Sequence, residues 1–589
     1  MRTRAPTKRS LAHALAWQYH RPVPIQRNVT SPMQPTSEQQ QAIDFFKHGT
    51  TLKINAFAGT GKTTTLKMLA QASPRLQGTY LAFNRSIADA AAKDFPRAVT
   101  CKTVHSLAYA STDSTYKSNR GKMTERMFGN QVAKVLELDA VPFGREYGTL
   151  QSRSLGFLVA DTVRNYCQSS SQCIDATHVR MHGMTELLPH DWKRQLSDHV
   201  VLKANLLWRR MRDSRDATPL GHDGYLKLWA LSKPRIHGDY IFLDEAQDTN
   251  PVVLEVVKSQ EAQVVFVGDR HQQIYEWRGA VNAMEQVSTA HESYLTRSFR
   301  FGPQIAAAAS TVLESLGEKR AIEGNPDKES HVGCERPAAI VCRTNASVIL
   351  AVLNAVDAGR RVCVVGGVGE LLRMLEAVTE LKANRPADVA EFFGFSSWTE
   401  VVAFSRRPEG EYIKTFVNLV ERHGETHLQR ELKRTSSDEL ASDLIATTAH
   451  KAKGREWSTV ALTDDYLIAK DEKGANKLES LDPSELRTLY VAMTRGREAV
   501  GVPKRLVSQF GIRENPLIQP STPDTVAPSI SAQTVTPYER TADGGCQVRE
   551  SEASYGSRQT TSQSPVVPTW FWAVIAALAA YAVFKVSTR

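Results

Sequence analysis

The chain has 589 residues, 41% of them hydrophobic and 23% charged, which is an ordinary globular balance with room for several domains. The net charge of +10 favours a polyanionic partner, but six basic and no acidic residues fall in the first 37 positions, so charge alone gives weak support for nucleic-acid binding. Seven cysteines without a C-x-x-C pair argue against a disulfide framework or a zinc site.

The first elements in chain order already alternate between helix and strand. Residues 1–34 are basic and unpatterned, which predicts a disordered arm, with a targeting segment as the alternative. Helices are predicted over 37–47 and Lys62–Ala72. Short apolar runs predict strands at 51–57, 78–84, 239–243 and 263–268, and in a second series at 338–342, 361–365, 444–448 and 459–462. Such alternation indicates parallel α/β sheets.

Two polar, helix-like stretches interrupt these series. The predicted domains are a first α/β domain from 35–110 and 223–300 with a helical insertion at 111–222, and a second from 301–365 and 441–505 with an insertion at 366–440. Ser, Thr, Pro and Gln dominate residues 506–565, which predicts a disordered linker.

The C-terminal residues 566–585 are predicted to be a transmembrane tail anchor. The 19 residues 566–584 are uncharged and apolar, with Trp570 and Trp572 near one edge and Lys585 at the other. A buried terminal helix is the alternative. We therefore expect a membrane-associated protein, at a bacterial inner membrane or an organelle, or a nuclear one if the run is not an anchor.

A glycine-rich turn between a strand and a helix, residues 56–63 (AFAGTGKT), has the context of a phosphate-binding loop. Backbone N–H groups there would face phosphates, the Lys62 ammonium would neutralise their charge, and the Thr63 hydroxyl would bind Mg²⁺. The first glycine of the usual pattern is replaced by Ala56, another small residue. The predicted nucleotide-binding residues of this segment are Ala58, Gly59, Thr60, Gly61, Lys62, Thr63 and Thr64.

Residues 244–248 (DEAQD) follow an apolar run and supply the acids that this chemistry needs. Asp244 at a strand end is predicted to hold Mg²⁺, and Glu245 to orient or deprotonate the attacking water. A solvated acidic loop is the alternative for a lone acidic pair, and the phosphate-binding loop upstream argues against it.

The chain resembles superfamily 1 helicases of the UvrD/Rep type, and among these the F-box DNA helicase branch, over roughly residues 35 to 505. Besides the two segments above, the resemblance rests on 35–39 (PTSEQ), 83–85 (FNR), 103–106 (TVHS), 222–229 (HDGYLKLW), 267–279 (VGDRHQQIYEWRG), 295–300 (LTRSFR), 448–456 (TAHKAKGRE) and 489–495 (LYVAMTR), in the motif order of that family. Arg455 and Trp457 depart from the family's usual Leu and Phe, the second insertion is short, and residues 1–34 contain no recognisable F-box.

The resemblance implies two RecA-like parallel-sheet domains with ATP and Mg²⁺ as cofactors. It implies that Gln39 reads adenine, that Glu456 contacts the ribose, and that Gln272 senses the γ-phosphate. It further implies that Arg300 and Arg495 stabilise the charge of the transferred phosphoryl group. The implied activity is 3′-to-5′ translocation on single-stranded DNA with unwinding of tailed duplex DNA, in recombination, repair or replication-fork processing.

Aromatic residues beside these motifs are candidates for stacking on unpaired bases. Trp277 and Tyr275 alternate around Glu276, directly after the γ-phosphate sensor. Weaker candidates for nucleic-acid contact are Phe83, His105, Arg278 and His450. Two other functions stay open at this point: a membrane-tethered, ATP-dependent nucleic-acid-binding switch or translocase that does not unwind, and a motor on RNA.

Overall fold

The computed structural model describes residues 34–118, 120–276, 279–385, 387, 389–467 and 482–516. The strands in chain order are β1 Leu52–Ala56, β2 Gly78–Ala82, β3 Val99–Thr103, β4 Val141–Pro142, β5 Thr149–Leu150, β6 Tyr240–Leu243, β7 Gln263–Gly268, β8 His291–Leu295, β9 His331–Val332, β10 Ala339–Cys342, β11 Val362–Val364, β12 Leu444–Thr448, β13 Trp457–Leu462 and β14 Gly496–Gly501. The helices of eight or more residues are Ser37–Phe46, Lys62–Ala72, Arg85–Asp94, Val104–Ser111, Ser152–Gln168, His190–Arg212, Gly221–Leu231, Pro251–Lys258, Pro303–Ser315, Asn345–Asp357, Gly369–Lys382, Glu411–His423, Glu425–Leu432 and Pro483–Met493. Shorter helices are Ser114–Lys117, Arg120–Thr124, Gly129–Val135, Gly144–Tyr147, Ala283–Gln286, Trp398–Phe404, Ala449–Ala452 and Lys504–Phe510.

The first sheet has six parallel strands in the order β3-β2-β6-β7-β1-β8. Its central strands are continuous apolar runs, such as β6 with all four residues buried, because helices cover both faces. One face packs against the helices Ser37–Phe46, Lys62–Ala72 and Arg85–Asp94. The other face belongs to a core that includes the helices Gly221–Leu231 and Pro251–Lys258 and the helices between Val104 and Arg212.

The second sheet also has six parallel strands, in the order β11-β12-β10-β13-β14-β9. Helices Pro303–Ser315 and Pro483–Met493 cover one face, and helices between Asn345 and Leu432 cover the other. The predicted α/β fold with parallel sheets is therefore confirmed, whereas the domain boundaries stay predictions. We call the part built on the first sheet, with the loops at its strand ends, the first lobe, and the part built on the second sheet the second lobe.

Six strands were not predicted from the sequence: the two-residue pair β4 and β5, and four strands of the two large sheets that have weak hydrophobic patterns. β3 and β8 are the two edge strands of the first sheet, and exposed polar residues alternate along them. β9 has only two residues, and β14 (GREAVG) begins with a glycine and two charged residues. Pairing with a neighbouring strand, rather than local sequence, forms these elements.

Every helix in the part of the chain that the structure describes is too short or too polar to span a bilayer. The prediction of a membrane location is not supported by this finding. It rested on residues 566–585, which lie outside the described residues, as do residues 1–33 of the predicted arm and the predicted linker from residue 517 onward. An apolar run of sufficient length is a requirement for a membrane span, but a buried or partner-binding helix satisfies the same requirement.

Candidate active site

The loop after β1 makes a tight turn through two glycines with left-handed backbone, Gly59 at φ +75° and Gly61 at φ +77°. A Cβ at Gly59 would lie 2.5 Å from Ser298 Oγ and 2.7 Å from Arg300 Cβ. Gly59 is therefore required both by its conformation and by the close approach of the segment after β8. Gly61 precedes the helix Lys62–Ala72, whose first N–H groups can bind an anion. The other predicted phosphate-binding residues lie on this turn or on the first helical turn: Ala58, Thr60, Thr63 and Thr64.

The Lys62 ammonium lies among carboxylates at the carboxyl ends of β6 and β7. Its Nζ is 3.2 Å from Glu245 Oε1, and both side chains are largely buried. Burial opposes the charge on Lys62, but Glu245, Asp269 and Asp244 outweigh burial and raise its pKa. Lys62 is therefore a fixed positive charge at the C-terminal end of the glycine-rich loop.

The two predicted acids, Asp244 and Glu245, differ in their environments. The Tyr80 hydroxyl donates to Asp244 Oδ2 at 2.6 Å. Burial and then the neighbouring Glu245 carboxylate raise the pKa of Asp244, whereas Lys62 and Lys453 outweigh burial and lower the pKa of Glu245. Glu245 also has φ +52°, a strained conformation for a residue with a side chain. The negative charge of the pair is therefore held mainly on Glu245.

Two arginines meet at the opposite side of this cleft. Arg495, from the second lobe, is 1% exposed, and its Nη2 donates to Gln272 Oε1 at 3.4 Å. Burial, and then the nearby Arg300 guanidinium, lower the pKa of Arg495 to about 9, so that it stays protonated at neutral pH. Arg300 Nε donates to Glu456 Oε2 at 2.7 Å. The ribose contact predicted for Glu456 stays a prediction.

A polar and an aromatic residue flank the glycine-rich loop where a base could lie. Gln39 Nε2 donates to Thr65 Oγ1 at 3.1 Å, and its Oε1 accepts from the Thr36 N–H at 3.0 Å. The Phe299 ring is 39% exposed and would lie 3.6 Å from a Cβ built at Gly61. An amide and an exposed ring at this distance from the loop can bind an adenine by hydrogen bonding and stacking.

Three of the predicted nucleic-acid residues form an aromatic row. The rings of Phe83 and Tyr275 are stacked, with centroids 6.1 Å apart and planes at 14°. Tyr275 and His450 follow at 6.1 Å, and the Tyr275 hydroxyl donates to the His450 carbonyl oxygen at 2.9 Å. His105 lies elsewhere, with its ring edge-on to Tyr225 at 6.2 Å. Trp277 and Arg278 lie outside the described residues.

The sequence did not point to three residues that complete this site. Tyr80 lies inside a buried strand and gives no local signal. Phe299 and Lys453 lie within the segments 295–300 and 448–456, so the motifs contained them without indicating a role. Lys453 Nζ forms an ion pair with Asp248 and donates to the Gln272 carbonyl oxygen at 2.6 Å, which joins the second lobe to the first.

Comparison with known proteins identifies relatives for most of the chain. Residues 87–291 match the UvrD/REP helicase N-terminal domain, and residues 443–502 match the UvrD-like helicase C-terminal domain. The chain is 32% identical over 511 residues to F-box DNA helicase 1 of Gallus gallus, covering 80% of this chain and 49% of that protein. It is 28% identical over 503 residues to F-box DNA helicase protein 1 of Schizosaccharomyces pombe, covering 79% and 56%. A shorter match, 30% identical over 89 residues, is to ATP-dependent DNA helicase PcrA of Leuconostoc citreum, covering 14% of this chain and 12% of that protein.

The chain thus spans about half the length of the two F-box DNA helicases that it matches over most of its own length. The names of these relatives are those of DNA helicases, and with the finding on membrane-crossing helices above they contradict the predicted membrane location. The two domain models match in the expected order, and they accompany a glycine-rich loop, an acidic pair and two arginines gathered in one cleft. The chain belongs to the UvrD/REP helicase family.

Proposed function

We propose that this chain is an ATP-dependent DNA helicase, which translocates along single-stranded DNA and separates tailed duplexes. The observation that carries the proposal is the meeting of Lys62 and Glu245 from one lobe with Arg495 from the other around a glycine-rich loop. Hydrolysis of a nucleotide bound between the lobes would change their relative position. The relatives named as DNA helicases support DNA as the track.

ATP and Mg²⁺ fit the donors that surround the loop. Gln39 and Phe299 would bind the adenine, and the loop N–H groups with Lys62 would bind the phosphates. The Thr63 hydroxyl and the Asp244 carboxylate would hold Mg²⁺, which prefers oxygen ligands. Because Lys62 is paired with Glu245 in this structure, an incoming phosphate would take over the lysine and release the carboxylate.

The released Glu245 carboxylate would then orient the attacking water or accept its proton. Its lowered pKa keeps it ionised at neutral pH, as a base must be. Arg495 and Arg300 would stabilise the charge that develops on the γ-phosphoryl oxygens. Gln272, which accepts a hydrogen bond from Arg495, would report the presence of that phosphate.

The aromatic row provides a surface for single-stranded DNA. Phe83 and Tyr275 belong to the first lobe and His450 to the second, so a change of the cleft alters the spacing along the row. Stacking on such a surface contributes about 1–3 kcal/mol per base and tolerates any sequence. Alternate release of bases at the two ends of the row would move the protein along the strand, and the family resemblance favours 3′-to-5′ movement.

The test is ATP hydrolysis in the presence and absence of a single-stranded oligonucleotide. Lys62→Ala should abolish DNA-stimulated hydrolysis while circular dichroism shows an intact fold. Lys67→Ala, on the same helix, is the matched control and should keep the wild-type rate. DNA-stimulated hydrolysis that survives Lys62→Ala would contradict the proposal, as would a wild-type protein whose hydrolysis does not respond to DNA.

A further inference from the structure

A tyrosine of the second lobe connects the glycine-rich loop to the first lobe's phosphate sensor. Tyr490 lies on helix Pro483–Met493 and is 0% exposed. Its hydroxyl accepts from the Ala58 N–H at 3.1 Å and donates to Asp269 Oδ2 at 3.1 Å. A phenol hydroxyl has a single hydrogen to donate, and here that hydrogen is directed to a buried carboxylate.

Asp269 carries the connection onward to Gln272. Gln272 Nε2 donates to the same Asp269 Oδ2 at 2.7 Å, and the His271 N–H donates to Oδ1 at 3.0 Å. Gln272 Oε1 in turn accepts from Arg495 Nη2 at 3.4 Å. The orientation of the Gln272 amide is therefore fixed, because a flip that exchanged its oxygen and nitrogen would break both contacts.

These hydrogen bonds form one buried, linear network that crosses between the lobes three times. It runs from Ala58 in the first lobe to Tyr490 in the second, back to Asp269 and Gln272, and out again to Arg495. In a buried network each bond polarises the next, so the loss of one link affects the geometry of the others. The Tyr490 hydroxyl is the link between the glycine-rich loop and the sensor.

We propose that Tyr490 is a positioning residue that transmits DNA binding to the nucleotide site. Tyr275, the centre of the aromatic row, follows Gln272 by three residues, so a base that stacks there shifts the segment that holds Gln272 and Asp269. The Tyr490 hydroxyl passes this shift to the Ala58 N–H at the entrance of the glycine-rich loop. This inference rests on the proposed function, since it describes how DNA accelerates hydrolysis.

Tyr490→Phe removes the hydroxyl and keeps the aromatic ring, so it tests the hydroxyl alone. The ring belongs to the second lobe's apolar core, which also contains Phe57 and Ala58, and phenylalanine keeps this packing. The variant removes one partner each from the Ala58 N–H and the Asp269 carboxylate. The matched control is Tyr466→Phe, because Tyr466 is also 0% exposed in the same core and its hydroxyl donates to the Val341 carbonyl oxygen at 3.2 Å.

The experiment measures kcat and KM for ATP in the full chain, with and without an oligothymidine strand. For Tyr490→Phe we expect the ratio of DNA-stimulated to basal kcat to fall about tenfold. The basal kcat and the KM should each change by less than about threefold. Tyr466→Phe should keep the wild-type ratio. Asp269→Asn removes the charge at the centre of the hydrogen-bond network. It should reduce the ratio of DNA-stimulated to basal kcat as Tyr490→Phe does.

Two results would overturn the inference. One is a wild-type stimulation ratio in Tyr490→Phe, and the other is an equal fall of basal and stimulated rates, which is the signature of a purely structural role. A failure of the proposed function itself looks different, because the wild-type protein would then show no stimulation by DNA in the same assay.

Discussion

Lys453 holds the two lobes together through a buried ion pair, and replacing it by methionine tests what this contact contributes to stability. Its Nζ pairs with Asp248 and donates to the Gln272 carbonyl oxygen, while the Asp248 side chain is 1% exposed. Methionine keeps the apolar stem of the lysine and removes its charge. The variant leaves Asp248 as a buried carboxylate without its counterion, which is the more costly half of a broken pair.

The size of the effect follows from the protonation of Asp248. Burial raises the pKa of Asp248 from 3.8 to about 6, against the opposing effect of Lys453. Folded wild-type protein therefore holds this proton more tightly than unfolded protein, and stability falls as pH rises from 3.8 to 6. Without Lys453 the folded pKa is higher still, so the fall continues above pH 6 at up to about 1.4 kcal/mol per pH unit. We expect a loss of about 2–3 kcal/mol at pH 8 and little loss from this source near pH 5.

The assay is thermal unfolding of Lys453→Met and of wild type from pH 5.5 to pH 8. The difference in Tm should widen with pH, by roughly 2–4 °C for each kcal/mol. Adding Asp248→Asn to Lys453→Met removes the stranded carboxylate, so the double variant should be more stable than the single one at pH 8 and should lose the pH dependence of the difference. A Tm difference between wild type and Lys453→Met that stays constant with pH would refute the reasoning. So would a double variant that is no more stable than Lys453→Met at pH 8.

Four further predictions follow from individual contacts. Gly59→Ala should lower ATP affinity at least about tenfold in equilibrium binding, because the position has φ +75° and a Cβ there would lie 2.5 Å from Ser298 Oγ; wild-type affinity would contradict this. Arg495→Ala should lower kcat for ATP hydrolysis about 10³-fold with a smaller change in KM, and an equal loss of binding would remove its assigned role. Burial opposes the charge on Glu318, but the His271, Arg320 N–H and Arg270 donors outweigh it and lower its pKa to about 2, so this carboxylate stabilises the fold above pH 4.5 and loses that effect as pH falls toward 2. Glu318→Gln should therefore lower Tm at pH 7 by the equivalent of about 1–2 kcal/mol, with a deficit that shrinks below pH 4.5; a deficit independent of pH would exclude this cause. Phe83→Ala should weaken single-stranded DNA binding about tenfold in fluorescence anisotropy, and unchanged DNA affinity would exclude Phe83 from the row.

The sequence was sufficient for those features that a short segment determines by itself. The central strands were predictable because both of their faces are buried, which makes them continuous apolar runs such as β6. The tight turn at Gly59 and Gly61 was predictable because a glycine-rich segment between a strand and a helix favours left-handed backbone at its glycines. Arg300 and Arg495 were indicated by the family's motifs rather than by any local pattern, and the structure brings both into the cleft.

Contacts between the lobes could not be predicted, because the packing of two separate sheets determines them. Tyr490 and Ala58 are 432 residues apart, and Lys453 and Asp248 are 205 apart. Nothing in either local sequence specifies such a pairing. The fold also separates His105 from the aromatic row and places its ring edge-on to Tyr225, so its DNA contact stays a prediction.

The membrane prediction went wrong for a related reason. Length and apolarity describe what a bilayer requires of a segment, but several other environments require the same. The motif segments between residues 35 and 505 were the more specific signal. Each of them combines particular residue types with a fixed place in the motif order of the family. Their interpretation as those of a UvrD/Rep-type helicase is the one that the comparisons confirm.

Strand displacement tests the central claim, a DNA motor driven by the cleft between the lobes, most directly. The substrates are labelled duplexes with a 3′ tail, with a 5′ tail and with blunt ends, incubated with wild type or Lys62→Ala in the presence of ATP and Mg²⁺. We predict displacement of the 3′-tailed duplex by the wild-type protein, little displacement of the blunt duplex, and none by Lys62→Ala. DNA-stimulated ATP hydrolysis by the wild-type protein without displacement of any tailed duplex would contradict the claim that this chain is a helicase.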